Sequence, residues 1–226
     1  MCRKAKGGDR VRRAITADWL LAFGAAAWVA GCATVVPEPV VIREPRPEPI
    51  PLVVGVYYPE EFLGFVHREW RVERKVGALV PPFAVGEASV KLLDEALGLL
   101  FTQVVRMPGR PPGVPGASSL AGVIEPRIVG VSYTPPVGAP TKGVLTYTGL
   151  RATAWIAYGF TLYSVNGEQL ASWEVRGYGV GVDSWHSRRA VLRSLEEAMR
   201  EAAWEFPENF RSVPGVRRWL DANGVK

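Results

Sequence analysis

The sequence predicts an α+β domain: a single, mostly antiparallel sheet with two amphipathic helices packed on one face, in the order β-β-α-β-β-β-α. Three observations carry this. Two stretches, over about residues 87–105 and 187–206, place apolar residues at steps of three and four. Other stretches are continuously apolar or alternate apolar with polar residues, as strands do. Asn166-Gly167 stands between two strand-like runs, where it favours a tight hairpin.

Leu52 to Tyr58 is an unbroken apolar run, expected of a strand covered on both faces. Val66, Trp70 and Val72 then alternate with His67, Glu69, Arg71 and Glu73, the pattern of a half-exposed strand. Val90, Leu93, Leu97, Leu100, Phe101 and Val104 form one stripe, which predicts the first helix over about Glu87 to Val105. Met107 to Gly116 is rich in proline and glycine and reads as a loop. Gly122 to Tyr133 reads as a strand. Its Pro126 cannot donate to a ladder and belongs at a sheet edge or a bulge.

The Asn-Gly dipeptide suits a type I′ turn, which would pair Val165 with Glu168. Leu162 then faces Ala171, Phe160 faces Trp173 and Tyr158 faces Val175, all on one side of the hairpin. Thr161–Ser172 and Ala157–Arg176 fall on the other, and a slip of one residue destroys that separation. The second helix, about Ser187 to Phe206, carries Val191, Leu195, Ala198, Ala202 and Phe206 on one stripe. Pro207 to Lys226 forms a tail whose Val216, Trp219 and Leu220 would pack back on the domain or on a neighbour.

Ahead of the domain, Arg3, Lys4, Lys6, Arg10, Arg12 and Arg13 precede an uncharged run from Trp19 to Ala30. A spanning helix needs about twenty apolar residues, so this run is too short, and a positive segment followed by a short apolar one reads as a secretory signal. Val29-Ala30-Gly31-Cys32 resembles the lipobox of bacterial lipoproteins. That resemblance implies cleavage between Gly31 and Cys32, acylation of Cys32, and, with Ala33 following, sorting to the outer membrane on its periplasmic face.

Cys2 would leave with the leader. Cys32 would then be the one cysteine of the mature chain, and no disulfide could form. Of 27 basic and 22 acidic residues, six and two lie in the leader, leaving 21 against 20. The high isoelectric point therefore belongs largely to the leader, and no nucleic-acid partner is expected. Pro37 to Pro51 is proline-rich, extended and semi-rigid, with a reach on the order of 45 Å. The expected organisation is leader 1–31, acylated cysteine and tether 32–51, domain 52–206 and tail 207–226.

Catalytic and metal-binding patterns are weak. His67 alternates with charged residues and reads as solvated surface. Asp183-Ser184-Trp185-His186 holds the residue types of a hydrolase triad, but neighbours in sequence do not make triad geometry, and helix capping is the better use of Asp183, Ser184 or Ser187. No thiol or paired histidine offers a metal site, so neither metal nor cofactor is expected. Gly177-Tyr178-Gly179-Val180-Gly181 lacks phosphate-loop spacing and reads as a strand end or bulge.

Trp155 falls on the strand face opposite Tyr158 and Phe160. That face is either covered by long loops and the tail, or open as a surface for a partner or a sugar ring. Trp155 and Trp219 are the candidate contact residues. Lipobox, tether, sheet, amphipathic helix, hairpin and C-terminal helix together look like envelope-assembly lipoproteins. Among these are the auxiliary lipoproteins of lipid-transport ABC systems and the lipoprotein that plugs the lipopolysaccharide translocon. The resemblance implies a non-enzymatic, lipid-anchored binding or scaffold subunit with a protein partner in the envelope. The alternative is a periplasmic glycan-binding module.

Overall fold

A computed structural model describes residues 34–37, 48–68, 82–141, 144–184 and 186–225. The expected leader with Gly31 and Cys32, residues 38–47 of the expected tether, and residues 69–73 of the expected second strand lie outside the described residues. The strands are β1 (Ile50–Val56), β2 (Phe101–Arg106), β3 (Val123–Thr141), β4 (Val144–Tyr163) and β5 (Gln169–Asp183). The helices are α1 (Glu60–Leu63), α2 (Val85–Leu100), α3 (Ser187–Ser212) and α4 (Pro214–Ala222). The strands make one sheet in the order β2-β1-β3-β4-β5.

The sheet is mixed, which corrects the expectation of a mostly antiparallel one. β1 pairs in parallel with both β2 and β3, whereas β3–β4 and β4–β5 are antiparallel. The difference begins at Phe101. The expected helix stops at Leu100, and Phe101 takes extended backbone, φ −118° and ψ 151°. Phe101 and Val104, in phase with the helical stripe, are strand residues of β2. Thr102, Val104 and Val105 are β-branched and suit a pleated surface better than a helix. With β2 placed there, α2 becomes the crossover that a parallel pair requires.

Of the expected strand around Val66 to Glu73, the described part is small. His67 makes a single antiparallel bridge with Phe83, which in turn bridges Val35 in parallel. The expected strand at Gly122–Tyr133 forms as β3, and Pro126 sits where its missing N–H is harmless. The Ile124 carbonyl accepts the N–H of Tyr57, the residue after β1, so by alternation Pro126 faces the same side. β1 pairs only as far as Ile124, two residues short of it.

The hairpin has the predicted register, reached by a different turn. Leu162↔Ala171, Phe160↔Trp173, Tyr158↔Val175, Thr161↔Ser172 and Ala157↔Arg176 are all cross-strand partners. The loop, however, is not the two-residue type I′ turn. Gly167 N–H donates to the Ser164 carbonyl and Ser164 N–H to the Glu168 carbonyl, while Gly167 takes φ +84°. This is a three-residue turn closed by a left-handed glycine. Val165 and Glu168 are therefore not partners. The register shifts between Tyr163↔Gln169 and Leu162↔Ala171, so Leu170 is the extra residue that restores the predicted pairing.

β5 alternates strictly from Ala171 to Asp183, odd residues buried and even residues exposed. Gly177, Gly179 and Gly181 lie inside this regular strand, not at a strand end or bulge. A Cβ on them would fall 1.9 Å from the Ala198 carbonyl oxygen, 2.0 Å from that of Ser194 and 1.9 Å from that of Ala190. Two strand residues advance ~6.8 Å and four helical residues ~6 Å, so glycines at every second position of β5 keep step with small residues at every fourth of α3. The expected strand end or bulge gives way to a regular strand in backbone contact with a helix.

The core lies between this sheet face and the helices. Phe160, Trp173, Phe206 and Phe210 pack as one aromatic group, with Phe160 and Phe206 ring centres 4.8 Å apart. α3 runs past the expected end at Phe206 and continues through Pro207 to Ser212. Phe210, on the turn beyond the proline, is fully buried against Phe101 and Trp173 and holds that turn in place. The tail is helix α4, begun by Pro214, and buries Val216, Trp219 and Leu220 against the same domain. Among the described residues no helix is long and apolar enough to cross a membrane.

Candidate functional site

Among the described residues, the sheet face opposite the helices is covered over one half and open over the other. On the β1–β3 half the loop after β2 folds back. Met107, Ala117 and Leu120 make a second small core with Val123, joined by Val53 and Tyr57. Gly55 allows this approach, since a Cβ there would meet Leu120 and Met107 at 2.8 and 2.9 Å. Arg110 pins the loop by a two-point contact with the Glu125 carboxylate and lies over the Tyr163 ring, 4.9 Å from its centre. A shallow cleft of about 380 Å³, lined by Val53, Val105 and Leu120 among others, remains beside it.

The β4–β5 half carries Trp155. Ser132 of β3 and Tyr178 of β5 are its cross-strand partners. Its ring lies over Gly130, where a Cβ would sit 3.0 Å from the indole. Tyr178 is 52% exposed, Val180 36%, Val182 50% and Val129 45%. Tyr178, Val180 and Val182 share one face by the period-two alternation of β5, and Val129 joins it at the bulge between Ile128 and Gly130, beside Gly159. They form an apolar strip bounded by Arg127, Glu174 and Arg176, with Glu174 within ion-pair reach of both arginines.

Two backbone groups on the free edge of β5 beside this strip are taken up by α3. Tyr178 N–H donates to the Glu201 carboxylate, and the Val182 carbonyl accepts from the Arg193 guanidinium at 2.6 Å, both from α3. Edge groups used in this way are not offered to another chain.

The other candidates are placed as follows. Trp219 is 5% exposed; its indole N–H donates to the Ala121 carbonyl at 2.9 Å, and its ring meets Phe210 edge-on. It is core, because α4 packs back on the domain. His67 is not solvated surface: its ring stands edge-on to Tyr133. Asp183, 8% exposed, accepts the His186 backbone N–H at 2.9 Å and lies 3.6 Å from Arg193. It braces the turn into α3, but the helix starts from His186 as N-cap with no side-chain cap hydrogen bond, so the expected capping by Asp183, Ser184 or Ser187 does not form.

Shifted ionisations also have structural causes. Tyr58 is pushed above the usual tyrosine range by burial and by Asp94, whose carboxylate accepts its hydroxyl at 2.8 Å. Tyr158, wholly buried, is pushed up by desolvation. Among the described residues no group of three or more His, Cys, Asp or Glu side chains comes together in a way that could hold a metal. Sequence reasoning missed Tyr178, Val180 and Val182. The signal was in GYGVGV itself: if the glycines face a helix, the residues between them face outward.

No protein-family model and no curated protein matches the sequence. Among solved structures, the chain resembles a Helicobacter pylori protein named as a neuraminyllactose-binding hemagglutinin homolog. The likeness has a TM-score of 0.50 at 8% identity over 82% of this chain and 96% of that one. A Caulobacter crescentus CB15 protein named as a lipoprotein aligns with a TM-score of 0.34 at 15% identity, over 61% of this chain and 84% of that one. The first likeness is one of fold.

Proposed function

We propose that the chain is a non-enzymatic, lipid-anchored binding subunit, carried by acyl chains on Cys32 at the periplasmic face of the outer membrane. It recruits a protein partner of the cell envelope through the open half of the sheet. The observation that carries the reading is the apolar strip Val129, Tyr178, Val180 and Val182, exposed around half-buried Trp155 and beside a β5 edge on which α3 takes up two backbone groups. Apolar side chains gathered on an open face mark interaction sites, and tyrosine and tryptophan are the residues most enriched in binding hot spots. The lipobox-like Val29-Ala30-Gly31-Cys32 supports the anchor.

A second reading, glycan binding, is favoured by one feature. Trp155 and Tyr178 are cross-strand neighbours on an open face and offer adjacent rings on which a sugar could stack. A photoreactive residue at position 178, with a control at exposed Glu168, tests both readings in isolated envelopes. A discrete protein adduct from position 178 alone supports the protein partner. Retention on peptidoglycan without an adduct favours the glycan. Neither result contradicts a binding role for this face.

A further inference from the structure

The few described residues that precede the proline-rich segment are fixed to the domain. Val35 N–H donates to the Pro82 carbonyl at 3.0 Å, and Ala84 N–H donates to the Val35 carbonyl at 2.9 Å. Phe83, between those two contacts, is fully buried and exchanges backbone hydrogen bonds with His67. On the other side of the segment, the Glu48 carbonyl accepts from Arg211 at 2.8 Å and β1 begins at Ile50. The proline-rich stretch is therefore held at both ends, and any reach it has lies after Val35.

From this we infer that the domain lies directly against the lipid surface, with the Val35–Phe83 side toward the bilayer and the Trp155–Tyr178 face turned away from it. The inference rests on the reading of Cys32 as the acylated residue. Cys32 and Val35 are three residues apart, and extended chain spans at most ~3.6 Å per residue, so the anchor reaches no more than ~11 Å from a point fixed to the domain. Phe83 packs edge-on to Tyr133, whose cross-strand neighbours Ala154 and Gly179 face the helices. The attachment is thus on the helix-bearing side of the sheet.

The surface at that point suits an interfacial contact. Val36 is 37% exposed and Leu63 47%. Leu63 is close by, since its carbonyl oxygen would stand 2.8 Å from a Cβ on Gly86. Apolar side chains at the headgroup boundary add to the binding that acyl chains provide. Among the described residues, the exposed charges nearby are of both signs: Glu60, Glu61 and Glu87 with Arg68 and Lys91. Attachment and apolar contact need no charge on the lipid, so the surface we commit to is a zwitterionic one.

The test uses the full acylated chain purified from membranes and placed in phosphatidylcholine vesicles that carry a headgroup energy acceptor. A dye is attached at Glu87→Cys in one sample and at Glu168→Cys in another; both positions are exposed. From Ala154, level with the attachment, to Ser164 at the hairpin end is ten residues of β4 and its turn, or ~34 Å. Transfer to lipid should be several-fold stronger from position 87 than from 168. Equal or reversed transfer overturns the inference, as does transfer between copies of the chain in place of transfer to lipid. Amide exchange on the unanchored Cys32→Ala protein should find Val35 and Ala84 protected; exchange at free-chain rates also overturns it. Absence of acyl mass on Cys32 defeats the functional reading and the inference together, whereas equal transfer from an acylated chain defeats the inference alone.

Discussion

Gly179 and Ser194 meet backbone to backbone: a Cβ on Gly179 would stand 2.0 Å from the Ser194 carbonyl oxygen. The same contact repeats at Gly177–Ala198 and Gly181–Ala190, so α3 rides directly on β5. Gly179→Ala must push the helix off the strand along its length. A loss of about 3 kcal/mol or more is expected, as in severe overpacking, read as a fall in the denaturant midpoint. Ser194→Ala should cost less than about 1 kcal/mol, because its hydroxyl bonds the Val191 carbonyl of its own helix. A Gly179→Ala protein of native stability contradicts this packing.

The Ser89 and Tyr158 hydroxyls are 2.7 Å apart, both fully buried, and link α2 to β4. Ser89 also donates to the Val85 carbonyl. Tyr158→Phe leaves Ser89 with that second partner and should cost about 1 kcal/mol. Ser89→Ala strands the Tyr158 hydroxyl in the core and should cost more, up to about 3 kcal/mol. Urea unfolding of the two variants gives the order; the reverse order contradicts the assigned hydrogen bonds.

Alkaline pH should act through Tyr58 and Tyr158. Burial, joined at Tyr58 by the Asp94 carboxylate, raises both above the ordinary tyrosine value. A raised folded pKa means that the neutral form is preferred on folding. The stability involved is complete below about pH 10, the ordinary value, and is lost as pH rises above it. Among the seven tyrosines, these two should ionise only as the chain unfolds, so tyrosinate absorbance and circular dichroism should end in one shared transition. Full tyrosinate absorbance from a still-folded chain contradicts it.

Substitutions on the open face should separate binding from stability. Tyr178→Ala or Val182→Ser removes exposed apolar surface and should change stability by no more than about 0.5 kcal/mol, while weakening partner capture. Trp219→Ala should unfold or strongly destabilise the domain, by about 3–5 kcal/mol, because its side chain is in the core. Thermal melts read beside the crosslinking yield distinguish the two kinds of residue.

The sequence made some of this legible because the signal was local or periodic. The hairpin register was counted from the Asn-Gly turn and agreed with an apolar face shared by Phe160, Leu162 and Trp173; it survived a misread turn because the bulge at Leu170 restored the phase. The parallel pairing was hidden, because Phe101 and Val104 continue the helical stripe at the spacing of three and four although they belong to β2. The glycines of β5 were seen but misjudged: spacing along a strand says nothing of a helix that packs on it from later in the chain. Trp155 was placed on the right face, but the cover over half of that face comes from a loop whose docking on Gly55 and Val123 is a tertiary fact.

The most direct test of the central claim is the intact mass of the chain extracted from membranes, beside Cys32→Ala. The account predicts a mature chain that begins at Cys32 and carries acyl chains, and a variant without them that leaves the membrane fraction. A membrane-extracted chain that retains residues 1–31 and bears no lipid would contradict it.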